Sequence, residues 1–155
     1  MTLKAGDTAP DFTLPDHHGR PQTLSALLTQ GPVVLFFYPA AHTPGCTAQA
    51  CHFRDLAGEF EAAGAQVVGI SRDSVEAQAA FADKRGFGYP LLADTDRAVA
   101  EAYGVKGGML GLSPVKRSTF VIGTDGVIRD VILSERNMSV HADRALAALG
   151  ASESA

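Results

Sequence analysis

The chain has few of the residues that mark disulfide-stabilised, membrane-spanning or nucleic-acid-binding proteins. It has no tryptophan and only 2 cysteines among its 155 residues. No apolar run approaches the roughly 20 residues of a membrane helix, and the N-terminus MTLKAGDTAPD does not have the pattern of a secretory signal peptide. Thirteen basic and 17 acidic residues give a net charge of −4, so the basic excess of nucleic-acid-binding proteins is missing. These absences predict a cytoplasmic protein with neither nucleic-acid nor membrane partners.

What the chain does contain is an ordinary globular composition. Hydrophobic residues make up 46% and charged residues 19%, and a chain of this length buries about 68–70% of its unfolded surface. We therefore expect a single domain over residues 1–150, with 151–155 as a frayed tail. Two cysteines in a cytoplasmic chain indicate redox chemistry, metal binding or simple burial rather than a structural disulfide framework.

Strand and helix patterns alternate along the chain. Segments 32–38 and 65–71 are apolar without polar alternation, as in strands buried on both faces of a sheet. Further strands are predicted over 89–93, 118–122 and 127–133, and helices over 44–63, 75–85, 96–103 and 139–149. Segments 11–14 and 22–24 flank a turn and predict an N-terminal hairpin. The order predicts an α/β fold, three-layered and thioredoxin-like, with the hairpin added.

Two helices and one turn carry more detailed expectations. The apolar spacing of the first helix predicts one continuous helix from Pro44 to about Ala63, closed by Gly64 and facing inward through Cys46, Ala50, Phe53, Leu56 (or Ala57) and Phe60. The second helix is expected to turn Ala77, Ala80 and Phe81 inward. His17 and His18 lie in the hairpin turn and are expected to be solvated.

The segment most informative about function follows the first buried strand. Thr43 suits a helix N-cap and Pro44 the first helical position, which places Cys46 in the first helical turn. The free N–H groups and the positive end of the helix dipole there favour a thiolate and lower the pKa of a cysteine. Taken alone, Thr-Pro-Gly is also compatible with a simple helix cap.

Cys51 follows five residues later on the same predicted helix. The two Cα atoms would be roughly 8–9 Å apart on an intact helix, which exceeds the span of a disulfide. The pair is therefore either a redox couple that bridges after local rearrangement, or a reactive cysteine beside a buried one. A zinc site built from His42, Cys46, Cys51 and His52 has the wrong spacing.

A basic pair, Lys116 and Arg117, precedes the strand 118–122. That strand is expected to pair beside the first buried strand, which would bring Arg117 within reach of Cys46. An arginine there could hold a thiolate and two peroxide oxygens through its fork of donors. The alternative is a solvated charge at a strand edge.

The residues PAAHTPGC (39–46) match the peroxiredoxin motif P-x-x-x-T-x-x-C, and CTAQAC (46–51) places a second cysteine five residues on. The chain thus resembles the peroxiredoxins of the AhpC/TSA type, and within them the peroxiredoxin Q, or bacterioferritin comigratory protein, branch. Segments GDTAPDF (6–12), VGIS (68–71), PLLAD (90–94) and RSTFVI (117–122) also fall where that family has similar sequences, so the resemblance covers nearly the whole chain.

The resemblance implies a thioredoxin-dependent peroxidase of the atypical two-cysteine type, acting on hydrogen peroxide or alkyl hydroperoxides. Cys46 would be the peroxidatic residue, oxidised to a sulfenic acid, and Cys51 the resolving residue of an intramolecular disulfide. Thr43 and Arg117 would bind the peroxide, and Pro39 would shape the pocket. A thioredoxin-like protein would restore the thiols.

No metal or organic cofactor is implied, and the branch suggests a monomer. A thioredoxin-type reductase is disfavoured because that chemistry uses C-x-x-C. A peroxide-sensing relay that passes its disulfide to a partner protein remains the alternative.

Overall fold

The structure, a computed structural model, describes residues 2–39, 44–106, 115–133 and 139–154, with the backbone alone for 44–46, 139 and 150–154. Seven strands and six helices lie within these residues. The strands are β1 (Thr13–Pro15), β2 (Pro21–Thr23), β3 (Val33–Phe37), β4 (Gln66–Ser71), β5 (Leu91–Ala93), β6 (Ser118–Ile122) and β7 (Ile128–Leu133). The helices are α1 (Leu24–Leu28), α2 (Pro44–Asp55), α3 (Ala57–Ala62), α4 (Val75–Arg85), α5 (Ala98–Ala102) and α6 (Ser139–Ser154).

The main sheet has five strands in the order β5-β4-β3-β6-β7. Strands β3, β4 and β5 run parallel, whereas β6 pairs antiparallel with β3, and β7 antiparallel with β6. Strand β3 lies in the centre, and all five of its residues have 0% exposure. This explains its uninterrupted apolar sequence, because a central strand is covered on both faces. The predicted parallel strands with an antiparallel hairpin at one end are confirmed.

Side chains of β3 alternate between two hydrophobic clusters on opposite faces of the sheet. Leu35 and Phe37 pack in one cluster with residues of α1 and α5. Phe36 and Tyr38 pack in the other with residues of α2, α3, α4 and α6. The sheet is thus the middle of three layers, as the sequence predicts.

The N-terminal hairpin is present as β1 and β2, which pair antiparallel through Leu14 and Gln22. An isolated bridge between Asp16 and Leu92 joins its turn to β5. The hairpin therefore covers an edge strand that would otherwise present unpaired backbone groups. Helix α1, which begins directly after β2, was not predicted from the sequence.

The prediction for the turn histidines is wrong for His17. Its ring is half-buried and its Nδ1 accepts a hydrogen bond from the Leu91 backbone N–H at 3.2 Å. Burial, followed by the proximity of His18, lowers the pKa of His17 below its usual value. His18 is exposed, as expected.

Three helical expectations also need correction. The predicted helix 44–63 is two helices, because Leu56 (φ −97°, ψ 11°) leaves the helical conformation between α2 and α3. On α4 the buried face is formed by Gln78, Phe81 and Ala82, not by Ala77 and Ala80. Helix α6 continues to Ser154, beyond its expected end and into the segment assigned to the tail. In the described part of the chain, no helix is both long and apolar enough to cross a bilayer.

We expect opposite effects from two glycine-to-alanine substitutions. A Cβ at Gly31, just before β3, would lie 2.2 Å from the carbonyl oxygen of Gly64, so Gly31→Ala should lower the free energy of unfolding by about 1–3 kcal/mol. The matched control is Gly58→Ala in α3, where a Cβ meets nothing within 4 Å and stability should rise by up to about 1 kcal/mol. Urea unfolding measures both, and a neutral Gly31→Ala would show that the two loops separate easily.

Candidate active site

The candidate site lies where the chain leaves the carboxyl end of β3. Tyr38 is fully buried, Pro39 is half-buried in a bend, and α2 begins at Pro44. The antiparallel register pairs Phe37 with Ser118, so Arg117 stands at the same edge of the sheet. Thr43 falls outside the described residues, and its expected capping and binding roles stay predictions.

Both cysteines are on helix α2. Pro44 is its first residue and Cys46 its third, so the predicted place of Cys46 in the first turn is confirmed for the backbone. Cys51 lies on the same helix with a half-buried, free thiol. Five helical residues separate the Cα atoms by roughly 8–9 Å, so α2 must change before a disulfide forms.

Arg117 is a buried cation, not a solvated charge. Its exposure is 7%, whereas the adjacent Lys116 is exposed. Its Nη1 donates a hydrogen bond to Oε1 of Gln49 at 2.7 Å. This contact ties the start of β6 to the first half of α2 and brings a fixed positive charge to the helix that carries Cys46.

Gln49 is the site residue that the sequence analysis missed. It is fully buried, and its Nε2 has no hydrogen-bond partner in the described structure. An unsatisfied buried donor costs about 1–3 kcal/mol of stability, a cost that a role in ligand binding would explain. The sequence contained one signal: a glutamine three residues after Cys46 lies on the inward face defined by Cys46, Ala50 and Phe53.

A second polar network supports the end of β3. The Tyr38 hydroxyl donates to Oε1 of Gln78, whose Nε2 donates to Ser71 Oγ at 3.0 Å and to the Leu92 carbonyl at 2.8 Å. The network crosses β3, α4, β4 and β5. These hydrogen bonds therefore fix the side chain of Tyr38, the residue directly before Pro39.

These features agree with the comparisons with known proteins. The model of the AhpC/TSA family matches residues 5–131. The chain belongs to the AhpC/TSA family. As a peroxiredoxin of this family it is a thiol-dependent peroxidase, and the predicted resemblance is confirmed.

Three relatives illustrate the similarity. The crystal structure of peroxidoxin BcpB from Mycobacterium tuberculosis is 61% identical, with a TM-score of 0.92 over 96% of this chain and 97% of that one. Chloroplastic peroxiredoxin Q of Sedum lineare is 45% identical over 141 residues, which are 91% of this chain and 75% of that protein. The bacterioferritin comigratory protein of Xanthomonas campestris is 36% identical, with a TM-score of 0.83 over 91% of both chains. The thioredoxin-like fold is thereby confirmed.

In this peroxiredoxin the second half of α2 is attached to its surroundings by side chains from three directions. Phe53 is fully buried and stacks on Phe36 of β3, with ring centroids 4.5 Å apart. His52 Nε2 lies 2.9 Å from Asp143 Oδ1 on α6. Arg54 donates to the backbone carbonyl of Arg85 at 2.6 Å. Any rearrangement that joins the cysteines must work against these contacts.

Tyr89 provides a further attachment beside Cys51. Its hydroxyl donates to the carbonyl oxygen of Ala50 at 2.7 Å. Burial raises the pKa of Tyr89 well above its ordinary value, so the hydroxyl stays protonated and remains a donor throughout the physiological pH range. The contact falls on the peptide between Ala50 and Cys51, inside the stretch of helix that separates the two cysteines.

The zinc interpretation gains no support from the described residues. No three His, Cys, Asp or Glu side chains among them are grouped as metal ligands. His52 instead contacts Asp143. His42 and the side chain of Cys46 lie outside what the structure describes.

Proposed function

We propose that this peroxiredoxin reduces hydrogen peroxide and alkyl hydroperoxides with Cys46 as the peroxidatic residue and Cys51 as the resolving residue. The observation that carries the proposal is the buried contact between Arg117 and Gln49, which brings a guanidinium to the helix whose first turn contains Cys46. The bacterioferritin comigratory protein of Xanthomonas campestris has alkyl peroxide reduction activity, which supports the choice of substrate.

Two electrostatic effects favour the thiolate form of Cys46. The first turn of α2 has backbone N–H groups without intrahelical partners, at the positive end of the helix dipole. Arg117 adds a full positive charge that is only 7% exposed and is therefore weakly screened by solvent. Both stabilise the anion relative to the thiol and lower the pKa of Cys46.

The first step is attack of the Cys46 sulfur on one peroxide oxygen. An S–O bond forms as the O–O bond breaks, and the leaving oxygen takes up a proton to become water or an alcohol. The peroxide gains two electrons and Cys46 becomes a sulfenic acid. Arg117, with Thr43 as a second donor, stabilises the charge that moves onto the leaving oxygen, and Pro39 limits access to the sulfur.

The second step requires α2 to open. With Cα atoms roughly 8–9 Å apart on the helix, Cys51 reaches the sulfenic sulfur only after the turns between the two cysteines unwind. The Cys51 sulfur then displaces the sulfenic oxygen as water, and the disulfide forms. A slow opening leaves the sulfenic acid exposed to a second peroxide and to over-oxidation.

A dithiol protein of the thioredoxin type would restore both cysteines by exchange. Since both cysteines belong to one helix of one chain, the cycle requires no second subunit, and a monomer suffices. The need for a steady supply of such a reductant suits an enzyme of the cytoplasm, where thiols are kept reduced.

Serine substitutions separate the two cysteine roles. Cys46→Ser should abolish peroxide consumption, because no thiolate remains in the first turn of α2. Cys51→Ser should consume about one peroxide per chain and then stop, since its sulfenic acid lacks a resolving thiol. Peroxide loss with thioredoxin, thioredoxin reductase and NADPH measures both. A wild-type chain that also stops after one equivalent would contradict the peroxidase cycle and favour the relay.

Adjacent basic residues allow a matched test of the buried cation. Arg117→Ala should slow oxidation of Cys46 by about 10²–10³-fold, the effect of removing one preorganised donor, and should raise the pKa of the thiol. Lys116→Ala removes an equal charge at an exposed position and should leave the rate within about twofold, because exposed charges are screened. Stopped-flow oxidation at several pH values measures both. Equal rates in the two variants would refute the role of Arg117.

Hydrogen exchange tests the opening of α2. Disulfide formation should reduce amide protection selectively across residues 47–53, whereas Val67–Ile70 of β4 should be unchanged because the central sheet stays intact. The comparison uses the reduced and oxidised forms of the same chain. Equal protection of α2 in both forms, with an intramolecular Cys46–Cys51 bond confirmed by mass, would show that the helix need not open.

A further inference from the structure

Of the two polar atoms in the buried side-chain amide of Gln49, the oxygen is hydrogen-bonded and the nitrogen is not. Its Oε1 accepts from Arg117 Nη1 at 2.7 Å. A guanidinium has only donors, so the amide oxygen must face Arg117 and the orientation of the side chain is fixed chemically. The Nε2 group is therefore a donor by necessity, and it is buried without a hydrogen-bond partner in the described structure.

The position of Gln49 brings this unpaired donor close to the helix position of Cys46. It lies three residues after Cys46 on α2, and residues three apart occupy the same face of a helix. Its other neighbour at the site is Arg117, which is buried with it. The side chain is thus between the helix position of the reactive cysteine and the cation that the proposed function assigns to the peroxide.

We propose that Nε2 of Gln49 donates a hydrogen bond directly to an oxygen of the bound hydroperoxide. The inference rests on the proposed function. Peroxide oxygens are acceptors, and an oxygen that leaves during attack by Cys46 gains negative charge as the O–O bond breaks. A preorganised N–H in a site that excludes water then binds the transition state more strongly than the free peroxide. Gln49 and Arg117 form a pair of donors, one neutral and one charged.

The competing explanation is that Gln49 only positions Arg117. A double-mutant cycle separates the two, because a residue that acts solely through Arg117 has no further effect once Arg117 is removed. The proteins are Gln49→Met, Arg117→Met and the double variant, each made with Cys51→Ser so that Cys46 is the sole thiol. In the double variant both partners of the Arg117–Gln49 hydrogen bond are replaced by apolar side chains of similar length, so neither is left unpaired by loss of the other.

The measured quantity is the ratio of two rates for Cys46: oxidation by hydrogen peroxide and alkylation by iodoacetamide. Alkylation requires the same thiolate but releases iodide and develops no charge on an oxygen, so the ratio removes changes in thiol pKa and access. Gln66→Met, which removes an amide donor to the Leu27 carbonyl at the far end of β4, is the control and should leave the ratio unchanged.

In the Arg117→Met background, Gln49→Met should lower this ratio by at least about tenfold, towards the 10²–10³-fold cost of removing one oxyanion donor. An unchanged ratio in that background would overturn the inference and leave Gln49 as a positioning residue for Arg117. Leucine at both positions provides a second version of the cycle if the methionine pair does not fold. Failure of the Cys51→Ser parent itself to react with peroxide would refute the proposed function instead.

Discussion

The hydrogen bond between Arg117 and Gln49 is the contact on which the site depends, because it joins two parts of the fold that are distant in sequence. Arg117 directly precedes the first residue of β6, and Gln49 belongs to the first half of α2. The position of Arg117 follows from the antiparallel register of β3 and β6, which pairs Phe37 with Ser118. A shift of one residue in that register would turn the arginine to the opposite face of the sheet.

The same helix has two requirements that oppose each other. For the proposed cycle its first turn must be ordered to stabilise a thiolate, yet the stretch between Cys46 and Cys51 must unwind to form a disulfide. The contacts of Tyr89, His52 and Phe53 make opening costly and so keep the reduced enzyme in its reactive form. Because these contacts are made by side chains and not by the backbone pairing of the strands, the proposed cycle can break them without changing the register of the central sheet.

Much of the fold could be predicted from the sequence because the patterns that specify its helices and strands are local. The apolar runs of β3 and β4 and the motif around Cys46 each reflect the local sequence of their own segment. The failures arise from tertiary contacts. Leu56 fits an inward helical spacing, yet the helix is interrupted there, and the inward place of Gln78 depends on hydrogen bonds to Tyr38, Ser71 and Leu92. Gln49 was missed for the same reason, since its partner is 68 residues away.

The interruption at Leu56 has a consequence for helix–coil cooperativity. In a continuous helix an unwound segment lengthens easily, because each further residue released adds conformational entropy without a new boundary. Here the boundary already exists between α2 and α3, and Phe60 on α3 is packed in the core with 1% exposure. In the proposed cycle, unwinding that starts at Cys46 would therefore end within three helical turns. A cycle of this kind would melt and reform one short helix, while the next helix keeps its place against the sheet.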